Sequence, residues 1–213
     1  MVVTAKSFST SQTAGILSRV PIQNMNTFII LLRGVTPTGK NKVLMAPLRT
    51  ALSKAGLKDV QAYIQSGNVI ATSSLALPEV EKLVNEVIYE SFGSDSAVLA
   101  RTPEQLSEIL KCNPFIDADG KRLYYSLLSA APDKKRLEIF LSIDFSPDQV
   151  RFVNNTIYTL YATKHSDSKL NNNYFERKLR VTATTRNFNT MTKLVALTVQ
   201  GPPAEAKRGG CNI

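Results

Sequence analysis

A loop rich in glycine and lysine, residues 34–41, is the first candidate for chemistry in this sequence. It reads GVTPTGKN and matches the phosphate-binding pattern G-x-x-x-x-G-K-[ST] at every position except the last. Backbone N–H groups of such a loop can approach phosphate oxygens, and the lysine adds positive charge. Asn41 stands where a hydroxyl normally binds magnesium, so the loop favours anion binding over nucleoside triphosphate hydrolysis.

Two later segments repeat this polar and basic character. Residues 168–173 read SKLNNN and are predicted to begin a helix, although asparagine is a poor helix former. Residues 184–187 read TTRN and are predicted to lie at the start of the last helix. A hydroxyl, a cation and an amide at a helix start suit a phosphate or a carboxylate. The alternative is that these residues only cap their helices and form a solvated polar face.

The candidate ligand-binding residues are basic or amide-bearing rather than apolar. The cations that would neutralise phosphate are Arg33, Lys40, Lys42, Lys169 and Arg186. The amides that would hydrogen-bond polar edges of a ligand are Gln65, Asn68, Asn172 and Asn187, and Glu176 would orient a neighbouring cation. Asn41, Ser66 and Thr190 complete the set.

The sequence contains few cysteine and histidine residues that could form disulfides, bind metals or act in nucleophilic catalysis. Two cysteines and one histidine cannot build a disulfide framework, a structural zinc site or a two-histidine metal motif. Cys112 is predicted to lie at a helix end as an incidental thiol, and no His165–Cys112 catalytic pair is expected. We therefore expect no metal and no cofactor, and a reduced, cytoplasmic setting.

The distribution of charge along the chain is uneven. Of the formal net charge of +9, residues 1–58 contribute +8, residues 59–148 contribute −6 and residues 149–213 contribute +7. If the two basic ends meet in the fold, they form one positive face that would attract an anionic partner. The alternative is a protein whose surface charge is merely uneven.

The two ends of the chain differ in composition from the middle. Residues 1–26 are rich in serine and threonine and contain no acid, which favours a disordered extension and resembles an organellar targeting segment only weakly. Residues 200–213 are predicted to form a disordered tail. No apolar run approaches 18 residues, so we expect no membrane span.

The chain between these ends predicts the same order of elements twice. The first set comprises a strand at 27–32, a helix from 42 that stops at Gly56, a hairpin of strands 60–64 and 69–72, a helix at 78–93, a strand at 97–100 and a helix capped by Thr102. The second comprises a strand at 123–128, a helix at 133–143, a hairpin of strands 149–153 and 156–161, a helix at 168–179, a strand at 181–184 and a helix at 187–197. This order predicts an α+β protein with two ferredoxin-like (split βαβ, βαββαβ) subdomains, 27–111 and 112–199, each followed by an extra helix.

Several ordered motifs resemble domain-of-unknown-function family 1697, a largely bacterial and uncharacterised family. The resemblance rests on LRG at 32–34, GKNK at 39–42, YIQSGNV at 63–69, NPF at 113–115, SKL at 168–170, ERKL at 176–179 and TRN at 185–187. It covers the chain from about Thr27 to Leu197 and implies two similar α+β subdomains. It implies no activity, substrate or catalytic residue.

Three classes of function are compatible with these observations. The leading hypothesis is a binding protein for a phosphate-bearing ligand, either nucleic acid or a phosphorylated, nucleotide-like small molecule. The second is a structural or interaction module whose polar motifs lock the two subdomains together, which requires buried and fully paired asparagines. The third is an enzyme with Glu176 as acid or base, which requires a deep pocket where Glu176 meets Lys169 and Arg186. The oligomeric state stays open.

Overall fold

Two antiparallel four-stranded sheets organise the chain. The computed structural model describes residues 24–39 and 41–198. Lys40 and most of the predicted terminal segments, 1–23 and 199–213, lie outside the described residues. In the described part, no helix combines the length and the apolar character that a membrane crossing requires.

Both subdomains have the predicted ferredoxin-like topology. The first contains β1 (Asn26–Leu32), α1 (Met45–Lys54), β2 (Lys58–Tyr63), β3 (Asn68–Ser73), α2 (Leu77–Phe92) and β4 (Val98–Arg101), and its extra helix is α3 (Pro103–Lys111). The second contains β5 (Leu123–Leu128), α4 (Lys134–Leu141), β6 (Gln149–Val153), β7 (Thr156–Leu160), α5 (Asn172–Leu179) and β8 (Ala183–Asn187), and its extra helix is α6 (Phe188–Thr198). The strand orders β2-β3-β1-β4 and β6-β7-β5-β8 correspond element by element, which confirms the predicted fold class.

The central strands of each sheet are buried on both faces because they are apolar on both sides. In β1, Phe28, Ile30 and Leu32 pack towards α1 and α2. The alternate residues Ile29 and Leu31 pack in the opposite direction, into a core shared by the two subdomains. Side chains that alternate along a strand point to opposite faces, so a continuous apolar run is typical of a strand covered on both sides.

The shared core lies between the two sheets. The first subdomain contributes Ile29, Leu31, Ile70, Leu99, Leu106 and Ile109, and the second contributes Leu123, Tyr125, Leu127, Tyr158, Met191 and Leu194. The extra helices α3 and α6 also pack against one another. The two subdomains therefore share one hydrophobic layer instead of meeting as separate domains.

The last residue of the first strand makes the same backbone hydrogen bond in both subdomains. The N–H of Leu32, the last residue of β1, donates to the carbonyl of Gly67 in the β2–β3 turn at 2.8 Å. The N–H of Leu128, the last residue of β5, donates to the carbonyl of Asn155 in the β6–β7 turn at 3.2 Å. The repeat is thus preserved in backbone register as well as in element order.

The structure corrects two predicted helix starts. Residues 184–187 were expected at a helix N-terminus, but they belong to β8, where Arg186 pairs with Tyr125 of β5. The β-branched Thr184 and Thr185 favour extended backbone, and pairing with a central strand prolongs it. The helix expected from Ser168 begins only at Asn172, after a short 3₁₀ turn over His165–Asp167.

Gly67 tests how tightly the β2–β3 turn packs against the end of β1. Gly67 has φ +75°, and a Cβ there would lie 2.5 Å from Val35 Cγ2 and 2.9 Å from Leu32 Cβ. Gly34 has a similar φ of +72° but open space around its Cα, so it is a matched control for the backbone strain. We expect Gly34→Ala to lower the free energy of unfolding by about 1 kcal/mol and Gly67→Ala by about 2 kcal/mol more. Urea denaturation of both variants measures this difference, and equal losses would show that the turn has room to yield.

Candidate functional site

An ion pair between Arg33 and Glu176 joins the two subdomains at one end of the sheets. Arg33 directly follows β1, and Glu176 lies on α5. Arg33 Nε donates to Glu176 Oε1 at 2.8 Å, and Arg33 Nη2 donates to Oε2 at 2.6 Å. Both side chains are about one-quarter exposed, at 26% and 23%. A bidentate pair of this kind fixes the orientation of the guanidinium as well as its position.

Glu176 is itself held in place by the start of β8. Its Oε1 accepts a second hydrogen bond from the backbone N–H of Ala183 at 3.0 Å. Asn173, one turn earlier on α5, accepts from Arg33 Nη2 through its Oδ1 at 2.5 Å. The carboxylate therefore orients Arg33. The arrangement that the enzyme hypothesis required, Glu176 with Lys169 and Arg186, is not formed, because Glu176 faces Arg33.

Two polar grooves flank Arg33. One, of about 380 Å³, is lined by polar or charged residues and by three residues that precede β4 and β8: Arg33, Asn41, Asp95, Glu176 and Arg180, with Ala97, Val181 and Thr182. The other, of about 230 Å³, is lined by Arg33 and the three asparagines at 171–173. The larger groove falls within the range of about 300–1,000 Å³ that is typical of small-molecule sites. The guanidinium of Arg33 thus forms a shared wall of two adjoining grooves.

Arg186 lies in the interior, between the two subdomains. Its Nε donates to Asn68 Oδ1 at 2.5 Å, and its Nη2 donates to the carbonyl oxygens of Leu32, Gly67 and Ser66 at 2.9, 3.0 and 3.3 Å. Its Nη1 donates to Thr184 Oγ1 and to the carbonyl of Thr185, both at 2.9 Å. Every nitrogen of the guanidinium is therefore paired, and four of its six acceptors belong to the first subdomain.

No carboxylate contacts the Arg186 guanidinium within the described residues, so neutral oxygens alone compensate its charge. Burial lowers the pKa of Arg186 to about 10, which leaves the side chain protonated at neutral pH. Asn68 is fully buried and also donates from Nδ2 to the Tyr63 carbonyl and to Ser66 Oγ. We call Arg186 with Asn68 and the carbonyls of Leu32, Ser66 and Gly67 the Arg186 lock.

A second polar chain lies on the other face of β8. Thr185 Oγ1 donates to Asn172 Oδ1 at 2.6 Å and lies 2.6 Å from Ser126 Oγ of β5. The hydroxyl of Thr185 has one proton, which it donates to Asn172. The hydroxyl of Ser126 is therefore the donor to Thr185. Asn171 caps α5 by accepting the N–H of Tyr174 at 3.1 Å. The asparagine run thus combines the helix capping that the sequence indicated with tertiary contacts.

The remaining predicted residues are divided between the surface and helix capping. Asn41 and Lys42 are exposed beside the larger groove, Lys169 is exposed before α5, and Gln65 and Ser66 are exposed at the tip of the β2–β3 hairpin. Asn187 caps α6, because its Oδ1 accepts the N–H of the buried Thr190 at 2.8 Å. The structure therefore brings Arg33, Asn41, Asn172 and Glu176 together at the grooves, and Asn68 with Arg186 in the lock.

Several groove residues were missed by the sequence analysis. Asn173 was not named as a candidate contact, although the asparagine run that contains it was expected to supply capping or contact residues. Arg180 and Asp95 line the larger groove, but they lie outside the motifs and carried no signal.

Tyr158 and Tyr161 are fully buried, with their hydroxyls donating to backbone carbonyls, so neither ring is available to stack on a base. Among the described residues, no group of three or more metal-ligating side chains is found.

Comparisons with known proteins identify the family. The family model described as "Protein of unknown function (DUF1697)" matches residues 25–158, which is more than half of the chain. The protein belongs to the DUF1697 family. Arg33 and Asn68 lie within the match, whereas Glu176 and Arg186 follow it in the chain.

The solved structures support the fold of this DUF1697 protein. It is similar to the structure of the conserved bacterial protein SP0830 from Streptococcus pneumoniae, with 24% sequence identity and a TM-score of 0.66. The similarity covers 82% of this chain and 98% of the bacterial one. No curated protein matches the chain.

Replacing Arg186 tests whether the lock holds the DUF1697 fold together. In Arg186→Gln, Asn68 and the three carbonyl oxygens of the first subdomain lose a buried charged donor, so we expect unfolding to become easier by about 3 kcal/mol or more. Arg122→Gln is the control, because Arg122 is exposed and its side chain makes one hydrogen bond, to Ala162 at 3.3 Å. The control should change stability by less than about 0.5 kcal/mol. Thermal and urea unfolding of both variants measure the difference, and equal effects would contradict a locking role.

Proposed function

We propose that this protein binds a phosphate-bearing ligand in the two grooves beside Arg33. The observation that carries the proposal is the state of the Arg33 guanidinium. Its Nε and Nη2 are held by Glu176 and Asn173, while its Nη1 makes no hydrogen bond within the described residues. An arginine that is oriented by a carboxylate, partly exposed and left with free donors is well suited to an anionic oxygen.

The lining of the grooves supports the same class of ligand. Asn171, Asn172 and Asn173 form the start of α5, where the first backbone N–H groups of the helix favour negative charge. Arg180 adds a second guanidinium to the larger groove, and Asp95 and Glu176 offset part of the positive charge there. Amides together with cations are the groups that recognise phosphates joined to polar rings, as in nucleotides and nucleic acids.

Most of the candidate residues are assigned either to ligand contacts or to the Arg186 lock. Arg33, Asn41, Lys42, Lys169 and Asn172, with Lys40 from the same loop, are the proposed ligand contacts. Arg186 and Asn68 are assigned to the lock, since their polar atoms are buried and already paired. Gln65 and Ser66 at the hairpin tip are further proposed contacts for a ligand longer than a single nucleotide.

Oligonucleotide binding at two salt concentrations tests the proposal. A labelled mixed-sequence RNA or DNA is titrated with the protein and followed by fluorescence anisotropy, with unlabelled nucleotide as a competitor. We expect saturable binding, and affinity that falls steeply with salt would identify nucleic acid with several phosphate contacts. Competition by the nucleotide alone, with weak dependence on salt, would identify a nucleotide-like small molecule. Absence of both at low salt would overturn the proposal.

Charge-reversal variants test whether the ligand binds at the grooves. Lys42→Glu with Lys169→Glu should weaken binding by about tenfold or more, because both lysines are exposed and neighbour groove residues in the chain. Lys134→Glu with Lys135→Glu makes the same total change of charge at two exposed positions on α4 and should alter affinity by less than about twofold. Equal effects of the two charge reversals would mean that the ligand responds to net charge rather than to this surface.

The second candidate function is a structural or interaction module. The specific observation in its favour is that Asn68 and Arg186 are fully committed to each other and to the backbone. Under this alternative, the Arg33–Glu176 pair is a further link between the subdomains and the grooves hold only solvent. Removing either link would then lower the free energy of unfolding, and neither oligonucleotide nor nucleotide would bind.

A further inference from the structure

The structural repeat places a second arginine at the position of Arg186. Arg101 ends β4 and pairs with Ile29 of β1, just as Arg186 on β8 pairs with Tyr125 of β5. Arg101 Nη2 donates to the carbonyl of Leu128, the last residue of β5, at 2.7 Å. In the same way, Arg186 donates to the last residue of β1. Each arginine therefore crosses from the last strand of its own subdomain to the first strand of the other.

The two arginines differ in what faces them. Asn68 pairs with Leu31 in the β3–β1 register, and Thr156 pairs with Leu127 in the β7–β5 register, so Thr156 occupies the position that Asn68 has in the lock. Asn68 supplies the oxygen that accepts from Arg186 Nε. The shorter side chain of Thr156 supplies no such oxygen, and Arg101 Nε makes no hydrogen bond within the described residues.

A cavity lies beside Arg101, where a residue equivalent to Asn68 would complete a second lock. It has a volume of about 440 Å³, within the usual range for small ligands, and Arg101 and Thr156 both line it. Leu77 and Ile109 add an apolar wall, and Glu108 adds a carboxylate. Glu81 lies 3.9 Å from Arg101 Nη1, so it compensates the charge of Arg101 only in part. Burial lowers the pKa of Arg101, which means that the cation has lost solvation that an anionic ligand would restore.

We propose that this cavity binds a small zwitterionic carboxylic acid of the amino-acid class with an aliphatic side chain. Its carboxylate accepts from Arg101, as Asn68 does from Arg186. Its ammonium group faces Glu108, and its side chain contacts Leu77 and Ile109. A phosphate dianion is disfavoured here, because Glu108 and Glu81 would repel its second charge. This site is separate from the grooves at Arg33 and does not depend on their function.

Titration of the isotope-labelled full chain with L-leucine tests the site. Two-dimensional amide spectra should show saturable shifts at Arg101, Gln105, Ser129 and Asn155, with a dissociation constant in the millimolar range or tighter. The matching amine without the carboxylate, 3-methylbutylamine, should bind at least about tenfold more weakly, because the contact with Arg101 is lost. Absence of saturation by leucine, or shifts centred elsewhere, would overturn the proposal.

Thr156→Asn is the decisive variant, because it restores the residue type of the other lock. The new amide oxygen should accept from Arg101 and so occupy the donor that the leucine carboxylate needs, and leucine binding should therefore fall by about tenfold or more while the melting temperature holds or rises. Arg101→Gln should also lose leucine binding, and Lys54→Ala, at a different surface groove, should not. Unchanged leucine affinity in Thr156→Asn would contradict the proposal even if Arg101→Gln fails to fold.

Discussion

The buried guanidinium of Arg186 is the interaction on which the rest of this structure depends. A cation that has lost its water is stable only if oxygens replace that water, and four of the six that do so here belong to the other subdomain. The end of β1 and the β2–β3 turn must therefore meet β8 in one register. Apolar packing in the shared core favours contact between the sheets, and the lock specifies which contact is made.

The position of the candidate site follows from this constraint. Arg33 comes directly after Leu32, whose carbonyl accepts from Arg186, and Glu176 accepts the N–H of Ala183 at the start of the strand that carries Arg186. The lock thus fixes both backbones from which the Arg33–Glu176 pair is built. A displacement between the subdomains would separate Arg33 from its carboxylate and deform both grooves. Stability and the proposed ligand binding are linked in this way, so only variants of exposed groove residues separate the two.

The fold could be predicted from the sequence more fully than the site. The hydrophobic periods and the turn residues gave the order of all strands and major helices, because those signals are local. The sequence could not decide between the two roles considered for Arg186, anion binding and locking of the subdomains, because a TRN segment before a helix has the same composition whether it binds an anion or ends a strand. Its burial depends on Asn68, 118 residues away in the chain, and no local pattern reports such a contact. The asparagine run at 171–173 was recognised as capping or contact residues, but its partner Arg33 again lies in the other subdomain.

Native-state hydrogen exchange tests the central claim that the lock makes the two subdomains one cooperative unit. The most protected amides of β1 and β5 should exchange with a common opening free energy in the unmodified protein, because the shared core and the lock open together. In Arg186→Gln both values should fall together, by about 3 kcal/mol or more. Two distinct opening free energies for β1 and β5 in the unmodified protein would contradict the account, since each sheet would then be stable without the contacts that Arg186 makes.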